Sequence, residues 1–214
     1  MFSKKIYSLL LAVAFVLMFD SSLKSQIIKN DEILNREKEI LSKFSKPDKY
    51  SNYLADEALY TTNGFEYVKK HRRLLLLLCA DLIETHNFNL SKSYIGFYSD
   101  KNSFKKESYY LGIEFNFGDT DRKSYEEAAA LYAQSNFKKI TTSLSSCYKI
   151  FEDPNVVGSV LRFTWKRQGK TEFVDFWLNS RDIFLYQTNR QVLVELIVRS
   201  AVTNMDGAII RLPI

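Results

Sequence analysis

Residues 63–214 spell an α+β domain, a roughly five-stranded and mainly antiparallel sheet with flanking helices, preceded by N-terminal helices. Three observations predict it. Tyr109, Leu111, Ile113, Phe115 and Phe117 hold every odd place of a nine-residue stretch whose even places are Tyr110, Gly112, Glu114 and Asn116; strict period two over that length is a strand with one buried face. Val156 to Lys166 and Thr171 to Leu178 flank Arg167, Gln168, Gly169 and Lys170, which is the pattern of a hairpin with a tight turn. Between and around these strands, apolar residues recur at helical spacing behind capping residues. The chain holds only 7 glycines and 3 prolines, too few for low-complexity linkers or for a turn-rich barrel.

The chain opens with Lys4 and Lys5, continues with the largely apolar run Ile6 to Phe19, and breaks at Asp20, Ser21 and Ser22. Such a run of 14 residues is roughly 21 Å long as a helix, short of the roughly 30 Å hydrocarbon core, so residues 1–25 read as a secretory signal peptide. The expected location is therefore periplasmic or secreted. No A-x-A-like triplet follows Phe19; the best candidate is Leu23, Lys24, Ser25 before Gln26, with leucine and serine at the two inspected positions, so an uncleaved inner-membrane anchor at residues 6–19 is the alternative. Removal of residues 1–25 takes the net charge from +5 to +3, too small an excess to mark a nucleic-acid footprint.

Residues 26–62 read as a helical segment. Ile33, Leu34, Ile40, Leu41 and Phe44 alternate with Asp31, Glu32, Arg36, Lys38 and Glu39 in the steps of an amphipathic helix over 27–44, and Tyr50, Tyr53, Leu54 and Tyr60 suggest a second, shorter one after Pro47. Asn63 and Glu66 form a capping pair for a helix from about Gly64 to His86. The basic run Lys69, Lys70, His71, Arg72 and Arg73 covers nearly every direction around that helix, so this turn is expected to protrude or reach the rim. Leu74 to Ala80 is apolar on all faces and therefore buried between a sheet and the preceding helices.

Tyr94 to Tyr98 and Tyr109 to Phe117 are the first two strands, joined by the polar loop Ser99 to Glu107. Ser124 and Glu127 form the capping box of a long helix to about Phe151, with Leu131, Ile140, Leu144, Cys147 and Phe151 inward. In the hairpin, a turn at Gln168 and Gly169 sets Leu161 opposite Phe176 and Phe163 opposite Val174 on a core face, and Val160 with Trp177, Arg162 with Asp175 and Thr164 with Phe173 on the other. Ile183 to Tyr186 is expected as the next strand. Thr188 and Gln191 then cap a helix to about Val202 whose outer row is Gln191, Glu195 and Arg199, and Ala208 to Ile214 is an apolar, docked tail. The resulting order from Gly64, α-β-β-α-β-β-β-α, resembles the roadblock or profilin-like arrangement over about residues 64–202. That likeness is one of topology, carried by no sequence motif, and implies nothing about function.

No complete catalytic constellation is present. His71 and His86 lie 15 residues apart, about 22 Å along a continuous helix, and cannot share an ion; Asp81, Glu84 and His86 read as solvated residues on the helix exit turn, and no metal is expected. There is no G-x-G-x-x-G and no G-x-x-x-x-G-K-[ST], hence no cradle for a nucleotide phosphate, and no cofactor is expected. The S-x-x-K spacings at Ser103–Lys106 and Ser146–Lys149 lack the companion motifs of penicillin-binding folds. Glu126 and Glu127, at a helix start, are better explained by the helix dipole than by a glycosidase pair, while with Asp119, Asp121 and Asp175 also present carboxylate-pair chemistry stays open. Cys79 and Cys147 are both expected in the interior, where buried free thiols are favoured over the disulfide that export would permit.

Two surfaces carry functional expectations. The basic run reads first as a solvated rim and second as a weak contact for anionic lipid or an acidic partner. On the second face of the hairpin, Phe173 and Trp177 accompany the opposed pair Arg162 and Asp175, a composition of protein interfaces, unless a helix of the same chain, the N-terminal one in particular, covers it. The functional expectation is an exported, non-enzymatic component of the cell envelope that binds another envelope protein. A motif-free envelope hydrolase and a membrane-anchored accessory subunit are the alternatives, and no nucleic acid is expected as partner.

Overall fold

Charge and apolar spacing set the first helix, α1 (Asp31–Lys43), whose Ile33 and Ile40 are buried while Asp31, Lys38 and Glu39 face solvent. The computed structural model describes residues 31–44, 47–56, 62–99, 108–122 and 124–214, the side chains of residues 32, 37, 62 and 63 excepted. Residues 1–25, expected as a signal peptide, the loop from residue 100 to Glu107 with Ser103 and Lys106, and the Asn63 side chain of the expected capping pair lie outside the described residues.

A 3-10 helix (Pro47–Tyr53) leads through Leu54 toward α2 (Thr62–Ala80), which continues as a π turn at Asp81–Thr85. Then come β1 (Gly96–Ser99), β2 (Tyr109–Thr120), α3 (Tyr125–Ser146), the short α4 (Lys149–Glu152), β3 (Val156–Arg167), β4 (Lys170–Asn179), α5 (Ser180–Gln187), α6 (Leu193–Arg199) and β5 (Ala201–Thr203). The strands lie in the sheet in chain order, β1-β2-β3-β4-β5. Every pair is antiparallel except β2–β3, which is parallel because α3 and α4 carry the chain back along the sheet. The class is α+β with a mixed, mostly antiparallel sheet.

The alternation of β2 is realised: Tyr109, Leu111, Ile113 and Phe115 are buried, and Phe117 half-buried. The hairpin has the expected register, with Leu161 opposite Phe176, Phe163 opposite Val174 and Arg162 opposite Asp175. Its turn residues have positive φ, 52° at Gln168 and 76° at Gly169, the requirement of the two-residue turn that matches strand twist. The Ser124 capping box is present, with Ser124 Oγ accepting from Glu127 N at 3.1 Å and Ser124 N donating to the Glu127 carboxylate at 3.4 Å.

Three expectations on the elements are corrected. The apolar run Ile183–Tyr186 is not a strand but the middle of α5, opened by Asn179, whose Oδ1 accepts from Arg181 N at 2.9 Å; the fifth strand is Ala201–Thr203, which overlaps the end of the span assigned to the last helix. That helix starts at Leu193, because Thr188 closes α5 by donating its hydroxyl to the Phe184 carbonyl at 2.8 Å and Glu195, not Gln191, accepts from the Val192 amide. Gln191 is buried rather than outward. The third helix is broken at Cys147–Tyr148, and its inward stripe runs through Ala133, Phe137, Ile140 and Leu144, with Leu131 only half-buried.

One core joins these elements. Phe163 on β3 is touched by Phe115, Phe117, Phe137 and Phe176, with ring centroids 5.0–5.7 Å apart, edge-to-face or tilted as the ring quadrupole favours. Ile33, Tyr50 and Leu54 from the N-terminal segment belong to the same core, as do Leu75 to Ala80 apart from Leu77. The tail docks as expected, with Ile210 N bonded to Val202 O at 2.9 Å and Ile210, Leu212 and Ile214 packed on the core.

Candidate functional site

The two faces of the sheet are unequal. Odd-numbered residues of β1, β2 and β3 and even-numbered residues of β4 turn to the helices: Phe97 meets Tyr67 and His71 of α2, and Phe163 and Phe176 meet Phe137 of α3. On the opposite face, every ring and ion-pair partner found among the described residues belongs to the sheet itself or to Tyr94 just before β1. The expected covering helix is not supplied by α1, which packs on α3.

This face carries Tyr98, Tyr110, Glu114, Arg162, Thr164, Phe173, Asp175 and Trp177, and Tyr94 leans over it. Arg162 and Asp175, cross-strand partners in β3 and β4, form a bidentate pair, Nε to Oδ1 and Nη2 to Oδ2, both 2.8 Å. The pair is partly desolvated, the side chains 29% and 10% exposed, and the bond to Asp175 raises the Arg162 guanidinium above its already high value. The guanidinium lies 4.0 Å from the Phe173 ring centre and 5.6 Å from that of Tyr94, within cation–π range. Burial pushes the Tyr94 hydroxyl above its ordinary value, so it stays protonated at neutral pH.

Two strand glycines make room for the remaining rings. Tyr98 lies on Gly112, where a Cβ would overlap its ring, and Tyr110 reaches Gly158, with 3.0 Å between its Cε1 and the position a Cβ would take. Tyr110 also stands edge-on to Trp177 at 5.2 Å, and Trp177 Nε1 donates to Thr203 Oγ1 at 3.3 Å. The four residues expected on this face, Arg162, Phe173, Asp175 and Trp177, are thus assembled as one cluster, and Tyr94, Tyr98 and Tyr110 join it. Tyr110 stood in the even positions of its strand; only the strand order, which the sequence does not display, brings it beside Trp177.

The basic run is not one surface. Gly64, Val68, His71, Leu75 and Leu78 share the inner side of α2, so His71 is buried, 3.4 Å from Asp153 Oδ2 and between Tyr67 and Phe97. Burial holds its imidazole below the ordinary value, leaving it neutral at neutral pH. Lys70 Nζ donates to the same Asp153 oxygen at 2.6 Å. Burial alone would raise the Asp153 carboxyl, but the bonds from Lys70, the Asn155 amide and His71 outweigh it and hold the group below its usual range. Lys69, Arg72 and Arg73 remain exposed.

Asp81 is likewise corrected: it is 0% exposed rather than solvated. Its carboxylate accepts from Ser143 Oγ at 2.7 Å and Arg36 Nη2 at 3.1 Å, and His86 Nε2 lies 3.8 Å away. Burial lowers the His86 imidazole below its usual value, so Arg36 and not His86 supplies the positive charge at neutral pH. A cavity of about 270 Å³ lies beside Arg36, lined also by Ile33, Glu39, Thr142, Ser145 and Gln187. No nucleophile–base pair is formed here, since Asp81 occupies the serine hydroxyl directly and no histidine stands between them.

Of the remaining chemistry, Ser146 donates its hydroxyl to the Thr142 and Ser143 carbonyls while Lys149 faces solvent, so this S-x-x-K spacing makes no acid–base pair. Glu127 serves in the capping box. Among the described residues no group of three His, Cys, Asp or Glu side chains is placed to hold a metal ion, and no helix is long and apolar enough to cross a membrane.

Cys79 and Cys147 are buried thiols outside any disulfide, 0% and 2% exposed; Cys147 Sγ is 3.4 Å from the Leu74 carbonyl oxygen, and burial pushes the Cys79 thiol up, which suppresses the reactive thiolate. Thiol titration is expected to count both sulfhydryls in denaturant without reductant and none in the native protein. A count of zero in denaturant would contradict the free-thiol assignment.

No protein-family model matches this chain, and neither a curated protein nor a solved structure was found to match it.

Proposed function

We propose that this protein is an exported, non-enzymatic binding component of the cell envelope that engages a partner protein through the face of its sheet on which no described helix packs. The observation that carries this reading is the cluster of five rings, Tyr94, Tyr98, Tyr110, Phe173 and Trp177, around the Arg162–Asp175 pair on a face where the described helices do not pack. Aromatic and arginine side chains grouped around a desolvated pair are what interface centres are made of, with a few such anchors carrying most of the binding energy. The apolar opening of residues 6–19 supports delivery to the envelope, by a cleaved signal or a retained anchor.

The test is site-specific photo-crosslinking in the native envelope. A photoreactive residue at Trp177 or Phe173 is expected to trap one protein partner that a probe at Lys139, exposed on α3, does not trap. With that partner purified, Trp177→Ala is expected to weaken the complex roughly 30-fold, the loss of one hot-spot anchor. Equal trapping from Lys139, or unchanged affinity of the variant, would remove the sheet face from the account, and recovery of intact Met1 in a soluble cytoplasmic fraction would remove the envelope.

A further inference from the structure

The fold divides the basic run and leaves part of it at a cavity. His71 turns inward and Lys70 is bound to Asp153, whereas Lys69 and Arg72, three apart and so on one side of α2, both line a cavity of about 300 Å³. The other polar walls are Ser51, Asn52 and Ser93, and the floor is apolar, with Leu54, Ala55 and Val68 only 3–5% exposed. Arg72 is held at the wall by a 2.9 Å bond from its Nη2 to Ser51 Oγ, and Ser51 in turn donates to the Asp48 carbonyl at 2.6 Å.

We propose that this cavity binds the phosphate head of a small organic phosphate. Lys69 and Arg72 line it together with the Ser93 hydroxyl and the Asn52 amide, while the Ser51 hydroxyl is committed to the Asp48 carbonyl, and an acceptor-rich anion matches such a set through charge-assisted bonds. Two carboxylates oppose this. Asp56 lines the cavity, and Glu66 is 3.0 Å from Lys69 Nζ, but that pair is exposed at both ends, 53% and 66%, and so is weak enough for a ligand to displace. A phosphate monoester, with three acceptor oxygens and a charge between one and two at neutral pH, outcompetes a lone carboxylate here. The volume is at the lower end of small-molecule pockets, about 300–1,000 Å³, which suits a head of glycerol-phosphate size with its carbons on the apolar floor. Such a head comes either free in solution or on a lipid, and the chemistry of recognition is the same.

Both sources are tested on the full chain at low salt, by calorimetric titration with glycerol phosphate and by flotation with phosphatidylcholine vesicles containing phosphatidic acid. Lys69→Gln with Arg72→Gln is expected to weaken binding about tenfold or more, the value of one charge-assisted bond. Arg73→Gln, exposed on the same helix but outside the cavity wall, is expected to leave it within about twofold. All three side chains are exposed, so folding is retained, and circular dichroism verifies it. Saturable glycerol-phosphate binding that the double variant loses assigns a soluble ligand; flotation alone, lost in the same way, assigns a lipid head. Binding in neither assay, binding that the double variant keeps, or an Arg73→Gln loss equal to that of the double variant overturns the pocket, the last by showing a diffuse surface charge.

Discussion

Asp81→Ala is expected to cost about 3–5 kcal/mol, the loss seen when one partner of a buried ion pair is removed, and to lower the melting temperature by roughly 6–20 °C. The reason lies in what remains. Ser143 Oγ loses its acceptor in a fully buried position, and Arg36, whose side chain is 20% exposed, keeps among the described side chains the exposed Glu39 at 2.8 Å. His86 gives no relief, being neutral. Asp81→Asn retains an acceptor oxygen and the shape, so its loss should be clearly smaller, and Ser143→Ala should cost about 1.5–3 kcal/mol, the value of one hydrogen bond to a charged group. Thermal melts of the three variants give the order directly. An Asp81→Ala protein melting within about 2 °C of the parent, less than 1 kcal/mol by the same conversion, would mean that the carboxylate does not hold α1, the π turn and α3 together.

Gly158→Ala is the second large effect, expected near 3 kcal/mol, the upper end of what overpacking costs. A Cβ at this position in β3 would overlap the backbone carbonyl oxygen of Leu178 in β4. A backbone atom inside a ladder cannot swing aside as a side chain does, so the two central strands must part. Gly112→Ala offers the contrast: its Cβ would meet the Tyr98 ring, which can rotate away. That variant should stay folded while unseating Tyr98 and weakening partner binding at the sheet face. Denaturant titration separates the two, and equal stability of the glycine variants would refute the distinction.

Local signals carried most of the fold into the sequence. The period of β2, the Gln168–Gly169 turn and the Ser124 box each act within a few residues, so strands, register and helix start could be read without knowing what lies across the core. Ile183–Tyr186 could not, because four apolar residues suit a buried helix as well as a strand; the one local signal was Asn179, a good N-cap. His71 was legible in principle, since Val68, His71 and Leu75 fall at the 3- and 4-residue steps of a buried stripe, but the five basic letters around it masked the phase. Asp81 was not legible, since its partners stand 45 residues before and 62 residues after it. The hairpin half of the aromatic face followed from cross-strand pairing, whereas Tyr94, Tyr98 and Tyr110 depended on β2 lying beside β3.

The lone parallel contact has a mechanical consequence. The β1–β2 pair and the β3–β4–β5 ribbon are each antiparallel and near in sequence, whereas the ladder between them requires closure of the long crossover through α3 and α4, at greater entropic cost. Arg162 with Tyr94, and Trp177 with Tyr110, straddle that seam on the outer face. A partner on that face therefore acts as a clasp across the joint: it recognises the two halves only once they are side by side, and by mass action it makes the joint harder to reopen.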